Sequence, residues 1–174
     1  MKKILLFVGV ILIICIFYIY YPRRIDLDTQ GLKYRLGDGS AGNEQLINIY
    51  IKGKMYRGLT GNKTFKGIID FEDDGIPVPK VHRQLEINFF RGYAGVIAYQ
   101  YNQDGKPVIF TIGSIYTNKN FNKISIAVLD HEGSGGSWTS EDGIMITAPA
   151  SSRSEAIDIS NKLMKDYLNG YKMK

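Results

Sequence analysis

Ile4 to Tyr21 reads ILLFVGVILIICIFYIYY, eighteen residues without a charge. As a helix rising 1.5 Å per residue this run is about 27 Å long, close to the hydrocarbon thickness of a bilayer. Helices in globular cores seldom stay apolar on every face over such a length. The segment therefore predicts one membrane span. Tyr18, Tyr20 and Tyr21 gather at its C-terminal end, where amphipathic rings suit the headgroup boundary. Pro22, Arg23 and Arg24 then stop it. Lys2 and Lys3 form the basic lead of an export signal, but the apolar run exceeds a usual signal-peptide core, and Phe17 to Pro22 offers no small-x-small cleavage site. The segment reads as a retained signal-anchor. Cys15 follows the bulky Ile14, unlike a lipoprotein site, and reads as a small apolar residue of the span. Lys2 and Lys3 against Arg23 and Arg24 tie under the positive-inside rule. The export-like lead places the remaining chain on the extracytoplasmic side of the cell membrane.

Charge narrows the partners. The chain carries 22 Lys plus Arg against 17 Asp plus Glu. Setting aside Lys2, Lys3, Arg23 and Arg24 leaves 22 − 4 = 18 against 17, or +1, from Ile25 onward. A domain so nearly neutral has no global field to gather nucleic acid, and none is expected as a partner. Its length is enough for one core.

Three parts follow: a signal-anchor over 1–24, a tether and first strand over 25–42, and a β-rich domain over 43–174. IDLDTQ reads as tether, with a first strand near Leu32 to Leu36. Period-2 alternation then marks strands. Ile47, Ile49 and Ile51 share one face, and Lys52-Gly53-Lys54 reads as a turn into Met55 to Gly58. Phe65, Gly67, Ile69 and Phe71 align, as do Leu85, Ile87 and Phe89. Asp104-Gly105 between Ala94–Tyr101 and Lys106–Tyr116 is a strong hairpin signal. Ile124, Ile126 and Val128 alternate, and so do Ile144 and Ile146. Ser152 and Glu155 have capping-box spacing, followed by a helical stripe of Ala156, Ile159, Leu163 and Tyr167, widened by Ile157, Met164 and Leu168. Asn169-Gly170 ends it. The expected fold is α+β and mostly β: an N-terminal transmembrane helix, then a curled or barrel-like antiparallel sheet of about seven strands, covered by a C-terminal helix over 152–169.

Candidate sites are few. Asp130 to Trp138 is the most site-like loop. His131 with Glu132 or Ser137 offers hydrolase chemistry, and Ser134 is a second nucleophile. Yet no strand-to-helix elbow presents either serine, and zinc would need ligands beyond His131 and His82. Asp70, Glu72 and Asp74 have the spacing of a calcium-loop start, but Val81 stands where the late bidentate acid belongs. Trp138, Tyr93, Tyr99, Tyr101 and Tyr116 are contact candidates for a protein, peptide or cell-wall polymer, since flat amphipathic rings on a sheet face bind such ligands. No cofactor is implied. The expected role is that of a membrane-anchored, non-enzymatic binding module. A hydrolase using the His131/Ser137 loop and a toxin-immunity or inhibitor protein working through a sheet edge are the rivals.

Overall fold

A computed structural model describes residues 3, 7, 9–11, 20–37, 42, 44–72, 76–90, 93–130 and 136–174. Most of Ile4–Tyr21 lies outside them, and so do Asp74, His131, Glu132 and Ser134. Among the described residues no helix is long and apolar enough to cross a membrane.

Eight strands run in the order β4-β3-β2-β1-β8-β7-β6-β5, every registered pair antiparallel. They are β1 (Arg23–Arg35), β2 (Gln45–Arg57), β3 (Lys63–Phe71), β4 (Gln84–Phe89), β5 (Ala94–Gln103), β6 (Lys106–Thr117), β7 (Ile124–Val128) and β8 (Ile144–Ala148). The sheet curls into a nearly closed barrel, because one side of every strand is apolar and only curling brings those sides together. Ile49, Ile51, Phe65, Ile69, Ile87, Ile97, Ile115, Ile124 and Ile126 fill the interior.

Helix α1 (Arg153–Leu163) and the short α2 (Lys165–Leu168) lie on the outside, over β1, β6, β7 and β8. Beneath them is a second core of Leu32, Tyr34, Leu36, Tyr116, Ala127, Met145, Ala156, Met164 and Leu168. Strands β7 and β8 are therefore buried on both faces, with Ile124 and Ile126 inside while Ser125 and Ala127 sit under the helix. Ser152 caps α1, accepting from the Glu155 amide. Glu155 reaches back to the amide of Ser151, 3.0 Å away, one residue before the cap. The helix breaks at Met164, so Tyr167 leaves the expected apolar stripe for solvent; Ser160, four residues after Ala156, is buried with Ala156 and Ile159.

Two expectations need correction. The segment read as tether belongs to β1, paired with β2 from Arg23 to Lys33; Ile25 and Leu27 alternate inward against exposed Asp26 and Asp28. Lys52-Gly53-Lys54 is no turn but the middle of β2, where Gly53 faces Gly67. A Cβ at Gly53 would stand 2.7 Å from the Phe65 ring and 2.4 Å from the Lys66 carbonyl oxygen. That glycine lets an aromatic ring lie flat across the ladder. The Asp104-Gly105 turn forms as expected, both residues holding positive φ (51° and 77°), as a two-residue hairpin matched to strand twist demands.

Candidate functional site

The barrel is not closed by a ladder. Strands β4 and β5 stand at the two ends of the strand order. Among the described residues one bridge joins them, at the end of β4 and the start of β5: Phe90 and Ala94 exchange both main-chain bonds, at 2.7 and 3.3 Å. Alternate residues of an extended strand direct their N–H and C=O to the same side. Counting back from Phe90, Asn88, Glu86 and Gln84 turn their main-chain groups toward β5, while Leu85, Ile87 and Phe89 serve the other edge, where β4 pairs with β3. From Ala94, Val96 and Ala98 turn theirs toward β4. The side chains of Gln84, Glu86, Asn88 and Val96 point to solvent.

Between these edges runs a groove of about 510 Å³, lined by Gln84, Glu86, Asn88, Ala98, Gln100 and Lys66. Its far end is also held. The His82 ring stacks on Tyr101 of β5, centroids 5.3 Å apart. Arg83, 5% exposed, ties the start of β4 to β3: it pairs with Asp70 at 2.7 Å and donates to the carbonyls of Val78 at 2.9 Å and Ile76 at 3.4 Å. The seam is thus fastened at both ends and lacks a β4–β5 ladder between. The rim carries one ion pair, Lys66 to Glu86 at 2.8 Å. That hydrogen bond, and then the carboxylate's charge, hold the Lys66 ammonium above its ordinary value. Asn88 accepts from the Thr64 hydroxyl at 2.8 Å. The groove is a polar slot flanked by strand edges, with amide, carboxylate and ammonium groups along it.

The residues singled out from sequence lie elsewhere. Tyr99 is wholly buried in the barrel and Tyr116 lies in the second core. Trp138 packs against that second core, 6.4 Å from the Tyr167 ring. Its indole Nε1 is shielded, with no acceptor among the described residues. Tyr101 stacks on His82, and Tyr93 lies under the Lys63 ammonium, 3.6 Å from the ring centroid. The five aromatics therefore do not share one outer face. Those on the inner or helix-covered side of a strand are drawn into a core by the area they bury. Asp70 is engaged by Arg83, and Glu72 accepts from the Asn48 amide; no metal-holding cluster occurs among the described residues. Ser137 sits at the neck of its loop, its main chain bridged to Asp130 at 2.9 and 3.1 Å. His131 and Glu132 fall outside the described residues.

The seam residues Gln84, Glu86, Asn88, Ala98 and Gln100 carry no motif in the sequence. The sole trace in the sequence is the polar row at 84, 86 and 88, which every solvated strand face shares. No family model matches the chain, and neither the curated proteins nor the solved structures include a match.

Proposed function

We propose that this chain is a single-pass membrane protein whose domain, on the extracytoplasmic side, is a non-enzymatic binding module that takes an extended peptide segment into the β4–β5 seam. The anchor rests on the uncharged run Ile4–Tyr21. The carrying observation for the binding role is the pair of facing strand edges with, among the described residues, no ladder between them beyond Phe90–Ala94. An extended segment would have to part the two edges, now close enough for the Phe90–Ala94 bridge, and would then bond to the main-chain groups of both, as in strand addition elsewhere, with side-chain pockets reading alternate residues. An immunity or inhibitor protein could work through the same edge.

Amide exchange on the full chain tests this without a known ligand. The N–H groups of Glu86, Asn88 and Val96 should exchange far faster than those of Leu85 and Ile87. Panning phage-displayed extended peptides against the chain should then yield binders that slow the first set. Binding should fail in Glu86→Pro, which removes one seam-facing N–H and leaves the β3 ladder intact. Equal protection of both sets in the free chain would mean a barrel closed in solution, and would end the proposal.

A further inference from the structure

We infer that the barrel end from which β1 starts seats on an anionic phospholipid surface. This inference rests on the membrane anchor proposed above and concerns the domain itself. The register places a continuous rim at this end. Arg23 pairs with Met55, Arg57 with Lys63, Lys63 with Phe89, Ala94 with Tyr116, and Thr117 with Ile124. The Arg23 guanidinium closes the circle by donating to the carbonyls of Lys119 (3.3 Å) and Asn120 (2.9 Å). The stretches at this end, 21–25, 54–65, 87–97 and 114–124, contain no Asp or Glu, and the acids that follow along the strands, Asp26 and Glu86, are paired with Arg24 at 2.9 Å and Lys66 at 2.8 Å. The same stretches carry Arg23, Arg57, Lys63, Lys119 and Lys123, and Arg23, Arg57, Lys63 and Lys119 surround one hollow of about 240 Å³. The near-neutral total thus conceals a cationic end, whereas the opposite end mixes Glu72, Asp104, Asp130 and Asp142 with Arg35 and Lys106.

Apolar side chains stand among these cations. Leu59, at the tip of the Gly58–Asn62 turn, is 86% exposed, and Phe90 is 65% exposed. Tyr21, the last residue of the uncharged run, borders the same hollow. Cations attract anionic headgroups, and interleaved apolar tips enter the interfacial layer. A bilayer holding the preceding segment would face this end of the barrel, because only Pro22 separates Tyr21 from β1.

The test uses the full chain, with Cys15, its one cysteine, changed to Ser and Leu59→Cys carrying an environment-sensitive dye. It is reconstituted into phosphatidylcholine vesicles with or without phosphatidylglycerol. Expected are co-flotation with both vesicle types and a blue shift of the dye in the anionic vesicles alone. The shift should fall with added salt, because charges are screened within about 10 Å at 0.1 M. It should vanish in Arg57→Glu/Lys63→Glu/Lys119→Glu. Co-flotation with identical emission in both lipids, or a shift indifferent to salt and charge reversal, would overturn the seating and leave the anchor standing. Protein remaining at the bottom of the gradient would overturn the anchor and the seating with it. Salt-sensitive capture of a DNA duplex by this rim, without any lipid response, would overturn the seating in favour of nucleic acid.

Discussion

The phenol of Tyr99 donates a hydrogen bond to the main-chain carbonyl of Ile69, 3.1 Å away inside the barrel. Ile69 lies one residue beyond the β3–β4 ladder, which ends at Ile68–Gln84. On that side β4 offers Ile69 no partner strand, and Tyr99 of β5 reaches across to supply a donor. Tyr99→Phe keeps the ring and its packing but strands a buried carbonyl, so it should lower unfolding free energy by about 1–3 kcal/mol. Denaturant titration reads this as a lower midpoint at unchanged slope. An unchanged midpoint would show that the carbonyl finds water through the seam.

Four hydroxyls fasten the helix to the barrel. Ser160 Oγ of α1 lies 3.0 Å from Tyr34 Oη, 2.8 Å from Ser125 Oγ and 2.7 Å from Thr147 Oγ1. All four residues are buried. The four protons can be placed within the cluster, so it contributes stability only while intact. Ser160→Ala should cost about 1–3 kcal/mol by orphaning its neighbours. Ser125→Ala combined with Ser160→Ala should cost less than the sum of the single changes, with a coupling on the order of 1 kcal/mol in a double-mutant cycle. Strict additivity would mean that the hydroxyls do not act together.

Tyr116 links the second core to pH. Burial, helped by the neighbouring Tyr167 and opposed by a hydrogen bond with Ser114, pushes its phenol up to about 12 from an ordinary 10.0. Between those values the unfolded chain releases a proton that the folded chain keeps. Stability linked to this group is therefore complete below pH 10 and is lost as pH rises toward 12, by on the order of 2 kcal/mol. Burial raises Tyr34 as well, in the same sense, so the comparison must be internal. Tyr116→Phe should lose visibly less stability than the parent between about pH 9 and about pH 12 in denaturant titrations. Parallel losses would place the titration elsewhere.

The strands and both ends of the Asp104-Gly105 hairpin were legible because alternation and turn chemistry are local. Phe65, Ile69 and Phe71 could face one way only, whatever they packed against. β1 was hidden by its outer row of Arg24, Asp26, Asp28 and Gln30, which reads as tether unless Ile25, Leu27 and Thr29 are noticed between them. Gly53 resembled a turn because its reason lies across the ladder, in the ring of Phe65. The burial of Tyr116 depends on where a helix from the far end of the chain settles, and the seam depends on whether the sheet's two ends meet. Both are long-range facts that no window of sequence holds. The Ser152–Glu155 signal was local and held, while the break at Met164 moved Tyr167 off the expected face.

Arg83 and Asp70 tie the start of β4 to β3 at the far end of that seam. The Arg83 side chain is 6% exposed and the Asp70 side chain 32%. Removing Asp70 alone takes a carboxylate 2.7 Å away from a buried guanidinium that also donates to the carbonyls of Val78 and Ile76. Asp70→Ala should therefore cost about 3–5 kcal/mol, whereas Arg83→Met with Asp70→Leu should recover much of that loss, since a buried pair replaced by packed apolar groups is often neutral. The recovered double variant no longer ties the start of β4 to β3. Its β4 amides, those of Leu85 and Ile87 included, should exchange faster than in the parent even where global stability matches. If the double variant matches the parent in both stability and exchange, the Arg83–Asp70 pair does not hold the seam, and the His82–Tyr101 stack is left as its fastening.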